Sequence, residues 1–120
     1  MTATVTLLAN HKGVTTPRVM GDEYVVDAVV DITSYTANGE QFTASEFGLS
    51  TVTCVLVTGI SVNTISGGYA VSMIAPEVQS GAATGGKYAA ASSADFQIHA
   101  PAASNTDNIG EIRLRIWGQI

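Results

Sequence analysis

The residues with the clearest chemical potential are few. Gly81-Ala82-Ala83-Thr84-Gly85-Gly86-Lys87 spells G-x-x-x-x-G-K, the spacing in which backbone N–H groups and a lysine cradle a phosphate. That use requires a following Ser or Thr for magnesium, and Tyr88 stands there. It also requires a strand before the loop, a helix after it and a parallel sheet around it, and the flanking sequence promises none of these. In a tract built of Gly, Ala, Ser and Thr the match is one of chance. His11 and His99 are the only histidines. Zinc needs three or four ligands at recognisable spacing, so two isolated histidines at surface or edge positions are expected instead. Asp27 and Asp31 share one face of an alternating stretch. Four residues of strand put them roughly 13 Å apart, beyond the ~5–9.5 Å of a glycosidase pair. An acidic strip facing Arg113 and Arg115, within the sheet or on a neighbouring subunit, is the better expectation. Cys54 lies among Val52, Thr53, Val55 and Leu56, where a cysteine acts as a small hydrophobe rather than a nucleophile. No G-x-S-x-G elbow occurs. The expectation is a protein that is no enzyme and uses no cofactor and no metal.

The elements that position these residues read as strands. Val, Ile and Thr are frequent, and β-branched residues suit a pleated surface. Thr2 to Leu8 alternates Ala3, Val5 and Leu7 with threonines, as a half-buried strand or an extended arm over residues 1–10. Glu23 to Ile32 places Tyr24, Val26, Ala28, Val30 and Ile32 on one face, with Asp27 and Asp31 on the other. Gly21-Asp22 is a turn before it. Ser34 to Gly48 is a connection with a turn at Asn38-Gly39. Within it, Thr43 and Glu46 fit a capping box that predicts one helical turn near 43–47, pinned by Phe42, Phe47 and Leu49. Thr51 to Thr58 reads as a buried strand. Ile60 to Ile65 and Tyr69 to Ala75 read as a hairpin around Gly67-Gly68, with Pro76 ending it. Ser80 to Ser93 reads as a loop with a short strand at Lys87 to Ala90. Phe96 to Ala100 is a strand. Ile109 to Trp117 closes the chain, with Ile112, Leu114 and Ile116 inward and Arg113, Arg115 and Trp117 outward. The expected class is all-β: one antiparallel jelly-roll or β-sandwich domain over 1–120, of about eight strands with one short helical turn.

Composition limits the partners. The 120 residues carry five Lys and Arg against ten Asp and Glu, a net charge of −5. Nucleic acid and anionic membranes both need converging cations, so neither is expected as a partner. No apolar run approaches the ~20 residues of a membrane-spanning helix. The N-terminal stretch lacks the basic region of a secretory signal, so synthesis in the cytoplasm without a cleaved signal is expected. The charged fraction is 12%, about half the usual ~25%, and one cysteine allows no internal disulfide. Stability must come from packing or from association with other chains.

Three stretches carry a resemblance. They are Gly21-Asp22-Glu23-Tyr24-Val25-Val26-Asp27-Ala28-Val29-Val30-Asp31, then Gly39-Glu40-Gln41-Phe42-Thr43-Ala44-Ser45-Glu46-Phe47-Gly48-Leu49, then Ile112-Arg113-Leu114-Arg115-Ile116-Trp117-Gly118. A turn and valine-rich strand, a G-E-x-hydrophobic-T-A-x-x-hydrophobic-G-L segment and a closing alternating strand resemble a family of small tailed-phage structural proteins. The likeness spans roughly two-thirds of the chain in order. It implies a jelly-roll or β-sandwich decoration (cement) protein on the exterior of the virion capsid, made in the host cytoplasm. The partner it implies is the major capsid protein lattice, with self-association as a homotrimer at local three-fold positions. Expected contact residues are Val5 and Leu7 in the arm, Asp27 and Asp31, and Arg113, Arg115 and Trp117 on the last strand. The rival reading is a carbohydrate- or receptor-binding β-sandwich of a fibre or adhesin, which needs exposed aromatics such as Tyr69, Tyr88 or Trp117. A small metal enzyme on a jelly-roll barrel is a weaker rival, since two histidines are too few.

Overall fold

A computed structural model describes residues 3–36, 39–74 and 95–120. The Pro76, Val78 and Gln79 segment, the Gly81–Lys87 motif, Tyr88, the Lys87 to Ala90 strand and Asn38 of the expected turn lie outside them. In order, the chain forms β1 (Ala3–Leu8), β2 (Arg18–Met20), β3 (Glu23–Ile32), β4 (Glu40–Phe42), a 3-10 turn (Ala44–Phe47), β5 (Thr51–Ile60), α1 (Val62–Ser66), β6 (Ser72–Ile74), β7 (Phe96–His99) and β8 (Gly110–Gln119). The fold is mostly β, in two antiparallel sheets. The larger runs β1-β3-β8-β5, with β2 beside β3. The smaller runs β4-β7-β6.

Period-two alternation explains the large sheet. Val26, Ala28, Val30 and Ile32 of β3 and Ile112, Leu114 and Ile116 of β8 are wholly buried on one face. From the small sheet and its turn, Phe42, Phe96, Ile98 and Phe47 pack into the same cluster. Phe96 stacks on Phe42 at 5.3 Å and tilts against Phe47 at 5.6 Å. Removing these faces from water at about 25 cal/mol per Å² is what joins the two sheets.

The helical turn sits where its sequence placed it, with Thr43 before it and Gly48 ending it in the left-handed region at φ +78. The Glu46 carboxylate accepts from the Thr43 N–H at 2.8 Å. Thr43 and Glu46 form the expected capping box. The Thr43 hydroxyl also lies within reach of the Ser45 and Glu46 side chains, and the Ala44 N–H is satisfied by Asp95 from a distant part of the chain at 2.7 Å.

Four expectations need correction. Of the two alternatives for the N-terminal stretch, residues 3–8 form the half-buried strand and not the free arm: they pair along their length with β3, from Ala3↔Ile32 to Leu8↔Asp27. Ile60 to Ile65 is not a strand of a hairpin. Ile60 ends β5, and Val62–Ser66 is a helix, despite its β-branched residues. Ser61 caps it by accepting from the Thr64 N–H, and the buried Thr64 hydroxyl donates to the Ile109 carbonyl at 2.8 Å. These polar anchors outweigh a propensity difference of a few tenths of a kcal/mol per residue. Thr51 to Thr58 is not buried. β5 is an edge strand whose residues are half-buried or exposed in turn, and Cys54 is exposed. Finally, the expected connection contains β4, and β2 forms an unexpected hairpin with β3 across Gly21-Asp22.

Candidate functional site

β8 lies between β3 and β5 and decides which side chains leave the core. Its even positions face inward, so Glu111, Arg113, Arg115 and Trp117 stand on the outer face of the large sheet. Antiparallel register then fixes their neighbours. Arg115 lies opposite Asp27 on β3 and Leu56 on β5. Arg113 lies between Val29 and Gly59, and Trp117 between Val25 and Cys54.

Asp27 and Arg115 form a two-pronged ion pair. Arg115 Nε and Nη2 donate to Oδ1 and Oδ2 at 2.8 and 2.9 Å. Arg18 of β2 adds a contact from Nη2 to Oδ2 at 3.3 Å. The Arg115 hydrogen bonds hold the Asp27 carboxyl below its usual pKa, against the opposite effect of burial, with Arg18 contributing further. Arg115 is reciprocally held charged by Asp27. The expected acidic strip is therefore only half right. Asp27 meets Arg115 within the sheet, whereas Asp31 lies opposite Glu111, an arrangement of like charges. Arg113 is exposed and makes no ion pair among the described residues.

These residues frame a shallow, open depression of about 230 Å³, lined by Asp27, Leu56, Thr58, Arg113, Arg115 and Trp117. A second, of about 260 Å³, runs from Arg113 to Val29, Gly59, Ile60, Ser61 and Glu111. Arg113 joins the two. The chemistry available here is recognition: the Arg113 guanidinium takes a carboxylate or phosphate oxygen, and the half-buried indole of Trp117, further along the same depression, supplies contact area.

Val5 and Leu7 are placed differently from the expectation. Paired with Val30 and Ala28, they face inward and pack partly buried against the core. His11 is exposed, but His99 is not at the surface. It is buried in β7, the middle strand of the small sheet. Among the described residues no three of His, Cys, Asp and Glu are grouped to hold a metal ion. No described helix is long and apolar enough to cross a membrane. Arg18, Leu56 and Thr58 complete the outer face and were not legible as such. The signal for Arg18 was the Gly21-Asp22 turn, which folds it back beside Asp27. For Leu56 and Thr58 the signal is obscured by two bulges in β5.

Searches against models of known protein families, curated proteins and solved structures find no match for this chain.

Proposed function

We propose that this chain is a non-enzymatic structural protein of a tailed-phage particle, which binds the exterior of the icosahedral capsid and stabilises it. In this reading the two sheets are a jelly roll, the partner is the lattice of the major capsid protein, and copies gather as homotrimers at local three-fold positions. The protein is made in the host cytoplasm and resides on the virion. Two things support the reading. The three stretches that resemble phage decoration proteins are β3 with its turn, β4 with the 3-10 turn, and β8, and together they supply much of the shared core. The observation that carries most weight is the outer face of the large sheet. It is broad and open, and its depression is lined by Arg113, which makes no ion pair among the described residues, and by half-buried Trp117, with Arg115 between them on the strand. Arg and Trp anchors on an open surface suit a protein partner, whereas small ligands favour concave, enclosed pockets.

The mechanism is burial of contact area across junctions between capsid subunits, with each protein copy bridging neighbours that would otherwise separate. The test is co-sedimentation of purified protein with capsids lacking it, before and after shell expansion, followed by a heat challenge. Saturable binding with raised survival is expected. Arg113→Glu leaves the fold intact, because the side chain is exposed and unpaired, and weakens binding at least about tenfold, the equivalent of ~1.4 kcal/mol. Wild-type binding by that variant would overturn the assignment of this face. No binding by the wild type would overturn the capsid role, and a glycan array would then test the carbohydrate-binding alternative.

A further inference from the structure

We propose that two copies of this chain associate through their β5 edges, antiparallel about a two-fold axis at Leu56. The inference does not depend on the capsid reading: it concerns the free protein in solution, whereas the trimers of that reading gather on the assembled shell.

The first observation is the edge itself. β5 runs ten residues, Thr51–Ile60, and pairs on one side with β8. Among the described residues no strand pairs with its other side. Its outward backbone N–H and C=O groups are a template for a further strand. Natural edges of this length are ordinarily guarded by lysine, proline or an inward charge. β5 has none of these. From Phe47 to Pro76 the sequence holds no Asp, Glu, Lys, Arg or His at all. In a chain of net charge −5, this is where two copies approach without like-charge repulsion. Leu56 is 54% exposed at mid-strand and Ile60 46% at its end.

The second observation says why the occupant is β5 of another copy. Register with β8 puts Val52, Val55, Val57 and Ile60 on the core side, and Cys54, Leu56 and Gly59 on the outer side. Two bulges insert Thr53 and Thr58; Thr58 lines the outer depression and Thr53 is exposed. Reflected through Leu56, the pattern matches itself. Val55 meets Val57, Val52 meets Ile60, and Cys54 meets Thr58, each pair on one face. Moving the axis one residue either way sets core-side residues against outer-side ones, which a pleated pair cannot accommodate. Bulges often blunt an edge. Here their placement leaves a regular core of Cys54 to Val57 and selects a single self-complementary register. The product is a continuous sheet across an isologous interface, the commonest symmetry among oligomers.

The experiment measures mass by sedimentation at high micromolar concentration, then tests two variants. Wild type is expected as an even multiple of 12.4 kDa. Leu56→Lys, which sets two ammonium groups on the axis, is expected to weaken association at least about tenfold without altering the circular dichroism spectrum. Leu56→Cys combined with Cys54→Ser is expected to form a covalent dimer on mild oxidation, reversed by reductant. Opposed residues sit about 4.5–5.5 Å apart between Cβ atoms, close enough for a disulfide after small adjustment. A monomer or an odd-numbered assembly overturns the proposal. So does an even-numbered assembly that Leu56→Lys leaves intact and position 56 does not cross-link. A monomer whose β5 amides are nevertheless protected from hydrogen exchange places another segment of the same chain on the edge, and overturns it as well.

Discussion

Asp27 shows how a charged residue is kept inside a sheet face. It is 7% exposed, and it is tolerated there because two guanidinium groups supply its hydrogen bonds. Asp27→Asn leaves Arg115 and Arg18 without their acceptor charge. The expected loss is about 1–2 kcal/mol by urea unfolding, below the ~3–5 kcal/mol of a fully buried pair, because the Arg115 side chain is 38% exposed. The pH dependence has a definite sign. A carboxyl depressed in the folded state stabilises above its unfolded value of ~3.9, and that stability disappears as pH falls through the lower folded value. Glu40 acts oppositely: burial raises its pKa, so the fold binds its proton more readily and is relatively favoured as pH falls. Asp27→Asn should therefore flatten the acid limb of stability below about pH 4, measured by unfolding at a series of pH values. An unchanged acid limb would show that the ion pair does not govern it.

At the scale of elements, β5 and β8 are held so closely that one residue type is dictated. A Cβ built on Gly118 would strike the Thr51 backbone carbonyl and crowd Leu49. This gives a physical reason for the glycine that ends the alternating C-terminal strand. Gly118→Ala is expected to destabilise by about 2–3 kcal/mol, read from thermal or urea unfolding, with β5 amides losing exchange protection first. Helix α1 depends on a different kind of constraint. Thr64 and Ser61 turn its polar side inward onto the start of β8, which leaves Val62 and Ile65 at 79% and 65% exposure. Thr64→Val removes the donor to the buried Ile109 carbonyl and should cost about 1–3 kcal/mol, whereas Val62→Ala should change stability by less than about 0.5 kcal/mol. Equal effects from the two would mean that the helix is held by its apolar side instead.

For the whole molecule, the joint between the sheets is aromatic. Phe42, Phe47 and Phe96 come from β4, the 3-10 turn and β7, and each has no exposed surface. Phe96→Ala is expected to lower stability by about 3–5 kcal/mol. Trp117 fluorescence reports the large sheet, and tyrosine or far-ultraviolet signals report both. The loss should appear in a single transition seen alike by these probes. Two separate transitions would mean that the small sheet folds independently of the large one.

Much of the large sheet was legible because its information is local. Alternation in Glu23 to Ile32 and Ile109 to Trp117 assigns one face to the core whatever the partner, since side chains on a strand change sides at every residue. The helical turn was legible because Thr43, Glu46 and Gly48 are a short-range signal. Asp95 as its second cap was not, because that contact joins distant parts of the chain. Residues 60–65 misled because β-branched residues favour strand until the Thr64 hydroxyl finds the Ile109 carbonyl just before β8 and Ser61 accepts from the Glu111 N–H on β8. The same limit applies to the outer face. Sequence parity put Arg113, Arg115 and Trp117 on it, and Asp27 and Asp31 on the matching face of β3. Only antiparallel register decided that Asp27 is neutralised by Arg115 while Asp31 lies opposite Glu111. Likewise, the alternation of Val5 and Leu7 established an apolar face, but pairing with β3 turned that face to the core. Periodicity is a property of the chain taken alone, whereas pairing and exposure depend on which strands are brought side by side.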